Sequence, residues 1–210
     1  MSNAPRMDVS ARRERLAASR LYLVLAADDA HVLEPALRGG VDIVQLRDKE
    51  LGDDGLIEAA IVFRAACEEH NALFILNDRP DLVEVCDADG AHVGRSDAPV
   101  IEARALVGPN RLLGISVSTF AELEDVAGTD YVGVTAFATP IKKDAVPGGL
   151  ELVDAAAKSL RVPWFAIGGI ELSNAAAVVG AGAPGVAVVR AIRDADDPEA
   201  AARALRRLVA

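Results

Sequence analysis

Gln45, Arg47 and Lys49 place an amide, a guanidinium and an ammonium at alternate positions. They end an apolar, β-branched run, Val41-Asp42-Ile43-Val44, that reads as a buried strand. Side chains two apart on a strand share a face, so the three donors point the same way at its C-terminal end. Such a trio suits a ligand rich in oxygens and negative charge, for instance a diphosphate. A frayed strand end with solvated charges is the competing reading.

Other polar groups follow apolar runs in the same way. Phe74-Ile75-Leu76 leads into Asn77-Asp78-Arg79, where Asp78 could hold a cation and Asn77 could donate to an anion. An Asx turn ahead of Pro80 is the alternative there. Asp97, after the run ending His92-Val93-Gly94, is a second carboxylate. Two such carboxylates suit Mg²⁺, which completes its shell with water and phosphate oxygens. His92 itself reads as a structural, hydrogen-bonded residue. Ser116 offers a hydroxyl, and Thr119 with Glu122 reads as a helix cap. The loop Thr139-Pro140-Ile141-Lys142-Lys143 adds a hydroxyl and a cation, Lys142, while Lys143 reads as solvated. Gly168-Gly169 lets backbone amides approach a ligand closely. No Ser/His/Asp or Cys/His arrangement for covalent catalysis stands out.

Positioning these groups requires a regular frame. Strand-type runs fall at 21–25, 41–46, 72–76, 91–93, 112–117, 131–135, 163–167 and 185–189. Amphipathic helical segments fall at 32–38, 54–69, 80–87, 99–106, 119–127, 149–159, 173–180 and 196–208, with Asp54 and Ser173 as candidate N-caps. This alternation predicts an α/β fold, a single-domain (β/α)8 TIM barrel over 19–210, preceded by an extension or short helix over 1–18. An open doubly wound sheet is the alternative. In a barrel, chemistry gathers where strands end and βα loops begin, and the loops after strands 7 and 8 commonly hold a phosphate.

The bulk composition narrows the partners. A chain of 210 residues that is 51% apolar can bury one substantial core. No apolar run approaches the roughly 18 residues of a membrane span, no signal-peptide core is visible, and the cysteines Cys67 and Cys86 have no metal-ligand spacing. The expected address is cytoplasmic. A net charge of −10 argues against nucleic acid and anionic membranes, and makes arginines and lysines gathered at strand ends more telling. The expected partners are small phosphorylated substrates, with a homo-oligomer left open.

In order, the motifs Gln45-Leu46-Arg47-Asp48-Lys49, Asn77-Asp78-Arg79, His92-Val93-Gly94 with Asp97, Gly114-Ile115-Ser116, Thr139-Pro140-Ile141-Lys142, Ala166-Ile167-Gly168-Gly169-Ile170 and Gly185-Val186-Ala187-Val188-Val189 resemble those of the thiamine phosphate synthase family over about residues 20–200. The resemblance implies a (β/α)8 barrel that joins hydroxymethylpyrimidine diphosphate to a thiazole phosphate and releases diphosphate. It implies that the 45–49 motif, Asn77 and Lys142 hold the pyrimidine diphosphate, that Asp78 and Asp97 bind Mg²⁺, and that Ser116 lies near the departing diphosphate. Arg47, Lys49, Ser116 and Lys142 would then be the catalytic groups. Thr139, Pro140 and Ile141 would border the thiazole phosphate, with Gly169, Val189 and Arg190 at its phosphate.

Five positions depart from the family pattern. Arg95 stands in place of Gln, adding charge beside the metal site; Ile141 replaces a Thr; Thr135-Ala136 replaces Gly-Pro; and Arg190 replaces Ser. These departures motivate two alternatives, a thiazole tautomerase-like paralogue and a non-catalytic thiamine phosphate sensor or carrier. Ser118, where the tautomerase would carry His, weighs against the first. A phosphosugar isomerase is more distant, since no acid/base pair is evident.

Overall fold

The computed structural model describes residues 8–95, 99–137 and 148–209. Its eight strands are β1 Leu21–Leu25, β2 Ile43–Leu46, β3 Leu73–Asn77, β4 Gly90–Val93, β5 Leu112–Val117, β6 Tyr131–Thr135, β7 Trp164–Ile167 and β8 Val186–Val188. All pair in parallel with their sequence neighbours, and β8 returns to β1 through Leu21↔Val186 and Leu23↔Val188. The sheet is closed, which settles the (β/α)8 barrel against the open sheet. The helices are α1 Val9–Ala18, α2 Leu33–Arg38, α3 Asp53–Glu69, α4 Val100–Val107, α5 Gly149–Ser159, α6 Leu172–Gly180, α7 Arg190–Arg193 and α8 Pro198–Leu208.

The period-2 alternation of the strands divides the core in two. Leu21, Leu23, Val44, Leu46, Phe74, Leu76, Leu113 and Ile115 face outward and pack under the helices. Tyr22, Val24, Ile43, Leu73, Ile75, Leu112, Tyr131, Phe165 and Ala187 fill the barrel interior, and Leu16 of α1 joins them. The short helix expected before residue 19 thus plugs the barrel.

The end of the barrel opposite the βα loops is fastened by a repeated device. Asp42, Asp89 and Asp130 each precede an even-numbered strand. Their backbone N–H groups donate to the carbonyls of Leu21, Phe74 and Leu113 at 2.9, 2.7 and 2.8 Å. Their carboxylates accept from the N–H groups of those same three residues at 3.0, 2.9 and 2.9 Å. Arginines close over the carboxylates. Arg12 and Arg64 reach Asp89 at 3.0 and 2.8 Å, and Arg13 and Arg104 reach Asp130 at 3.0 and 2.5 Å. Asp89 is only 1% exposed, so its ion pairs are needed to offset the cost of burying a charge.

Helix boundaries differ from expectation in four places. The segment 80–87 forms only a 3-10 turn, Pro80–Leu82, followed by turns. The segment 119–127 forms a 3-10 turn, Ala121–Glu124, although Thr119 and Glu122 do exchange backbone–side-chain hydrogen bonds. Gly52, not Asp54, caps α3, and Asp54 lies in its first turn, where a carboxylate still favours the helix dipole. Glu171, not Ser173, occupies the cap position of α6.

Candidate active site

A cavity of about 530 Å³ lies at the C-terminal mouth of the barrel. Tyr22, Tyr131 and Phe165 form its floor, with the Phe165 ring edge-on to both tyrosines at centroid distances of 5.5 and 6.2 Å. The Tyr131 ring fits because residue 114 has no side chain. A Cβ on Gly114 would lie 2.1 Å from the Tyr131 ring. Burial pushes both phenol pKa values up, so both hydroxyls remain protonated at neutral pH.

Gln45, Asn77, His92 and Ser116 line the walls from four successive strands, β2 to β5. Gln45 donates to the Tyr22 hydroxyl at 2.7 Å, and Ser116 Oγ lies 3.0 Å from His92 Nε2. His92 is therefore hydrogen-bonded as expected, but it also faces the cavity. Arg47 stands nearer the rim, where strand pairing has ended.

The donor trio is spread over depth. Gln45 lies within the barrel and Arg47 lines the same cavity, while Lys49 is beyond the strand with its Nζ 3.7 Å from Asp78 Oδ2. The intervening residues serve the frame. The Leu46 side chain points into the outer core, away from the cavity. The Asp48 carboxylate accepts from the N–H groups of Ala27, Glu50 and Leu51 at 3.3, 3.1 and 3.3 Å, which organises the β2 exit. Neither residue is among those that line the cavity.

Asp78 sits at φ 56°, and its carboxylate is held on both oxygens. Gly94 N–H donates to Oδ1 at 3.1 Å and the Asn77 amide to Oδ2 at 2.6 Å. A carboxylate has about four lone-pair directions, so these contacts leave room for a metal. Arg79 is occupied elsewhere, by Asp53 at 2.8 Å and Asp81 at 2.7 Å, and its hydrogen bonds hold the Asp81 carboxyl below its ordinary pKa. Arg95 is also turned away. Its guanidinium pairs with Asp125 at 2.9 Å and donates to the carbonyls of Glu122 and Asp125, so its charge is neutralised at the β5–β6 connection rather than added to Asp78. Asp97, Thr139, Pro140, Ile141, Lys142 and Lys143 lie outside the described residues. Among the described residues no three His, Cys, Asp or Glu side chains cluster as a metal site.

The opposite rim is a backbone cradle. Gly168 and Gly169 both have positive φ, 97° and 57°. A Cβ on Gly168 would meet the Phe137 carbonyl at 2.6 Å, so glycine is required there. The Asn174 amide fixes the turn by donating to the Gly169 carbonyl at 2.9 Å. Val189 caps α7, and the amides of Arg190 and Ala191 precede the first internal hydrogen bonds of that helix, from Ile192 and Arg193 to the Val189 carbonyl. Free first-turn amides beside a glycine pair suit a phosphate. The Arg190 guanidinium stands 3.9 Å from Glu171 across the two loops, and Arg190 and Arg193 line the cavity on this side.

A family model described as thiamine monophosphate synthase matches residues 21–192. The chain belongs to that family. A thiamine-phosphate synthase from Gloeobacter violaceus is 47% identical over 89% of this chain and 56% of its own length. The chain thus spans little more than half of that relative. One from Streptomyces avermitilis is 46% identical over 90% of this chain and 93% of its own. A thiamine phosphate pyrophosphorylase structure from Pyrococcus furiosus superposes with a TM-score of 0.84, at 32% identity over 94% of this chain and 96% of that one. The matched span encloses both rims of the cavity described above.

Reading the sequence alone left Tyr22, Tyr131 and Gly114 without a site role. Their signal was weak, since tyrosines within apolar strands look like core. Strand parity places Gly114 inward once Ser116 is, but Tyr22 and Tyr131 lie on other strands, and only the register Tyr22↔Ile43 and Gly114↔Tyr131 puts them on the inner face.

Proposed function

We propose that this protein couples 4-amino-2-methyl-5-(diphosphooxymethyl)pyrimidine to a thiazole phosphate, forming thiamine phosphate and releasing diphosphate. The observation that carries the reading is one cavity with two anion-binding rims. Arg47, Asn77 and, beyond it, Lys49 and Asp78 stand on one side; Gly168, Gly169 and the first turn of α7 stand on the other. The family membership supports the same reading.

Arg47, Lys49 and Asn77 bind the diphosphate, with Lys142 as a further cation in this proposal. Ser116, oriented by His92, donates toward the oxygen that leaves. The C–O bond between the methylene carbon and the diphosphate breaks, and its electron pair departs with the diphosphate. The thiazole nitrogen lone pair then forms the new C–N bond at the resulting pyrimidinylmethyl cation. The Gly169, Val189 and Arg190 amides hold the thiazole phosphate so that this nitrogen faces the carbon. Positioning and charge stabilisation do most of the work, with no covalent enzyme intermediate. The Asp78 carboxylate, with Asp97 as its expected companion, fits Mg²⁺, which takes one or two carboxylates and completes its shell with water and phosphate oxygens. Bound there, the ion would neutralise charge growing on the departing diphosphate.

The test is production of thiamine phosphate and diphosphate by purified protein given both substrates, with Mg²⁺ and with excess EDTA. Equal amounts of both products, formed only with metal, are expected. Failure to form either product while thiamine phosphate still binds would replace the enzyme by a non-catalytic binder.

A further inference from the structure

Two hydrogen bonds join Asp78 to the exit of β4. The Asp78 N–H donates to the His92 carbonyl at 2.8 Å, and the Gly94 N–H donates to Asp78 Oδ1 at 3.1 Å. Asp78 also keeps a left-handed backbone, φ 56°, a conformation that costs an L-residue energy and is imposed by its surroundings. The direction of this carboxylate is therefore set by where β4 leaves the barrel.

Arg95, next in the chain after Gly94, fixes that exit. Its guanidinium crosses to the β5–β6 connection, where it pairs with Asp125 at 2.9 Å. It also donates to the Glu122 carbonyl at 2.9 Å and to the Asp125 carbonyl. Three acceptors from one loop suit the rigid guanidinium fork and not the single ammonium of a lysine. The anchor is itself held down. The Glu122 carboxylate accepts from the N–H groups of Ser118 and Thr119 at 2.5 and 3.1 Å, and Leu123 is buried beneath the connection. The Asp125 side chain is 80% exposed, so this ion pair adds little to stability by itself. Its effect is geometric.

We infer that Arg95 is a positioning residue for the metal. It clamps the β4 exit against the β5–β6 connection and so holds the Gly94 amide, and through it the Asp78 carboxylate, in the orientation that receives a small divalent cation. This rests on the function proposed above and deepens it, because it gives an arginine that touches neither substrate a part in metal affinity. Charge alone acts the other way, since a cation beside a metal site repels the metal. Clamp and charge thus predict opposite effects when the arginine is removed.

Arg95→Met removes fork and charge together. Mn²⁺ takes the same oxygen ligands as Mg²⁺, and its binding without substrate can be followed by water-proton relaxation. The Mn²⁺ Kd should rise about tenfold in Arg95→Met, and by a similar factor in Arg95→Lys, which keeps the charge. Calorimetric binding of inorganic diphosphate without metal should change less than twofold. Mn²⁺ binding by Arg95→Met as tight as wild type, or tighter, would overturn the inference. Asp125→Asn unhooks one contact at an exposed residue and should weaken Mn²⁺ about threefold with the fold intact, yet add nothing in the Arg95→Met background. Should Arg95→Met not fold, Asp125→Asn decides, and wild-type Mn²⁺ affinity there would overturn the clamp equally. A wild type that binds diphosphate but no Mn²⁺ would remove the metal from the proposed function and this inference with it. A wild type that binds Mn²⁺, with all variants indistinguishable from it, would remove only the clamp.

Discussion

Gly114→Ala isolates one steric requirement of the site. The added methyl would lie 2.1 Å from Cζ of Tyr131 and 2.5 Å from both Cε atoms, so it would sit inside the ring rather than against it. The ring cannot retreat freely. Its centroid is 6.1 Å from Tyr22, 6.2 Å from Phe165 and 5.5 Å from His92. Overpacking a tight core costs about 1–3 kcal/mol, and an overlap this deep belongs at the upper end, about 2–3 kcal/mol. For a chain of this size each kcal/mol lowers Tm by roughly 2–4 °C, so a loss of about 4–12 °C is expected. Calorimetry on wild type, Gly114→Ala, Tyr131→Leu and the double variant completes a thermodynamic cycle. Tyr131→Leu removes the obstructing ring, so the double variant should be more stable than the sum of the single losses predicts, by at least ~1 kcal/mol. A Gly114→Ala protein within about 0.5 kcal/mol of wild type, or strict additivity in the cycle, would refute the close-approach argument.

Further outcomes follow from other residues. Asp78→Asn keeps a side chain that tolerates φ near 56°, so it should fold normally while cutting turnover at least roughly 100-fold and raising the Mg²⁺ requirement; near-wild-type kinetics would remove Asp78 from the metal site. Ile141→Thr should lower the thiazole phosphate KM if a hydroxyl is missing there, and steady-state kinetics showing an equal or higher KM would show that the loop uses another contact. Burial pushes the Cys67 thiol from 9.0 to about 12, so the folded state holds its proton after the unfolded chain has lost it. The unfolded state then binds fewer protons, and stability should be full below pH 9 and fall between pH 9 and 12, by at most ~1.4 kcal/mol per pH unit from this group. Denaturant unfolding at pH 8 and 10.5 should show this loss diminished in Cys67→Ala, and an identical pH dependence would exclude the thiol as its source.

The barrel was largely legible because its signals are local. Apolar strand runs alternate with amphipathic segments, and all eight expected strands overlap those observed. The 41–46 run loses its first two residues because Asp42 spends its carboxylate on the N–H groups of Arg20 and Leu21. The overestimated helices at 80–87 and 119–127 show that helical composition and a cap do not suffice where little chain is available to propagate. Gln45, Arg47, Ser116 and the glycine pair were legible from type and place. The partners of the arginines were not. Arg12 and Asp89 are 77 residues apart, and Arg95 finds Asp125 30 residues away, so only the closed fold reveals which charges are already paired.

The aspartates before β2, β4 and β6 bind backbone to backbone at the end remote from the cavity, and the arginines of α1 reinforce two of them. Cohesion and chemistry are thus assigned to opposite poles of the molecule. A loop at the mouth can lengthen, shorten or change its charge without loosening these fastenings. The same frame can be inherited intact while the substrate it serves is replaced.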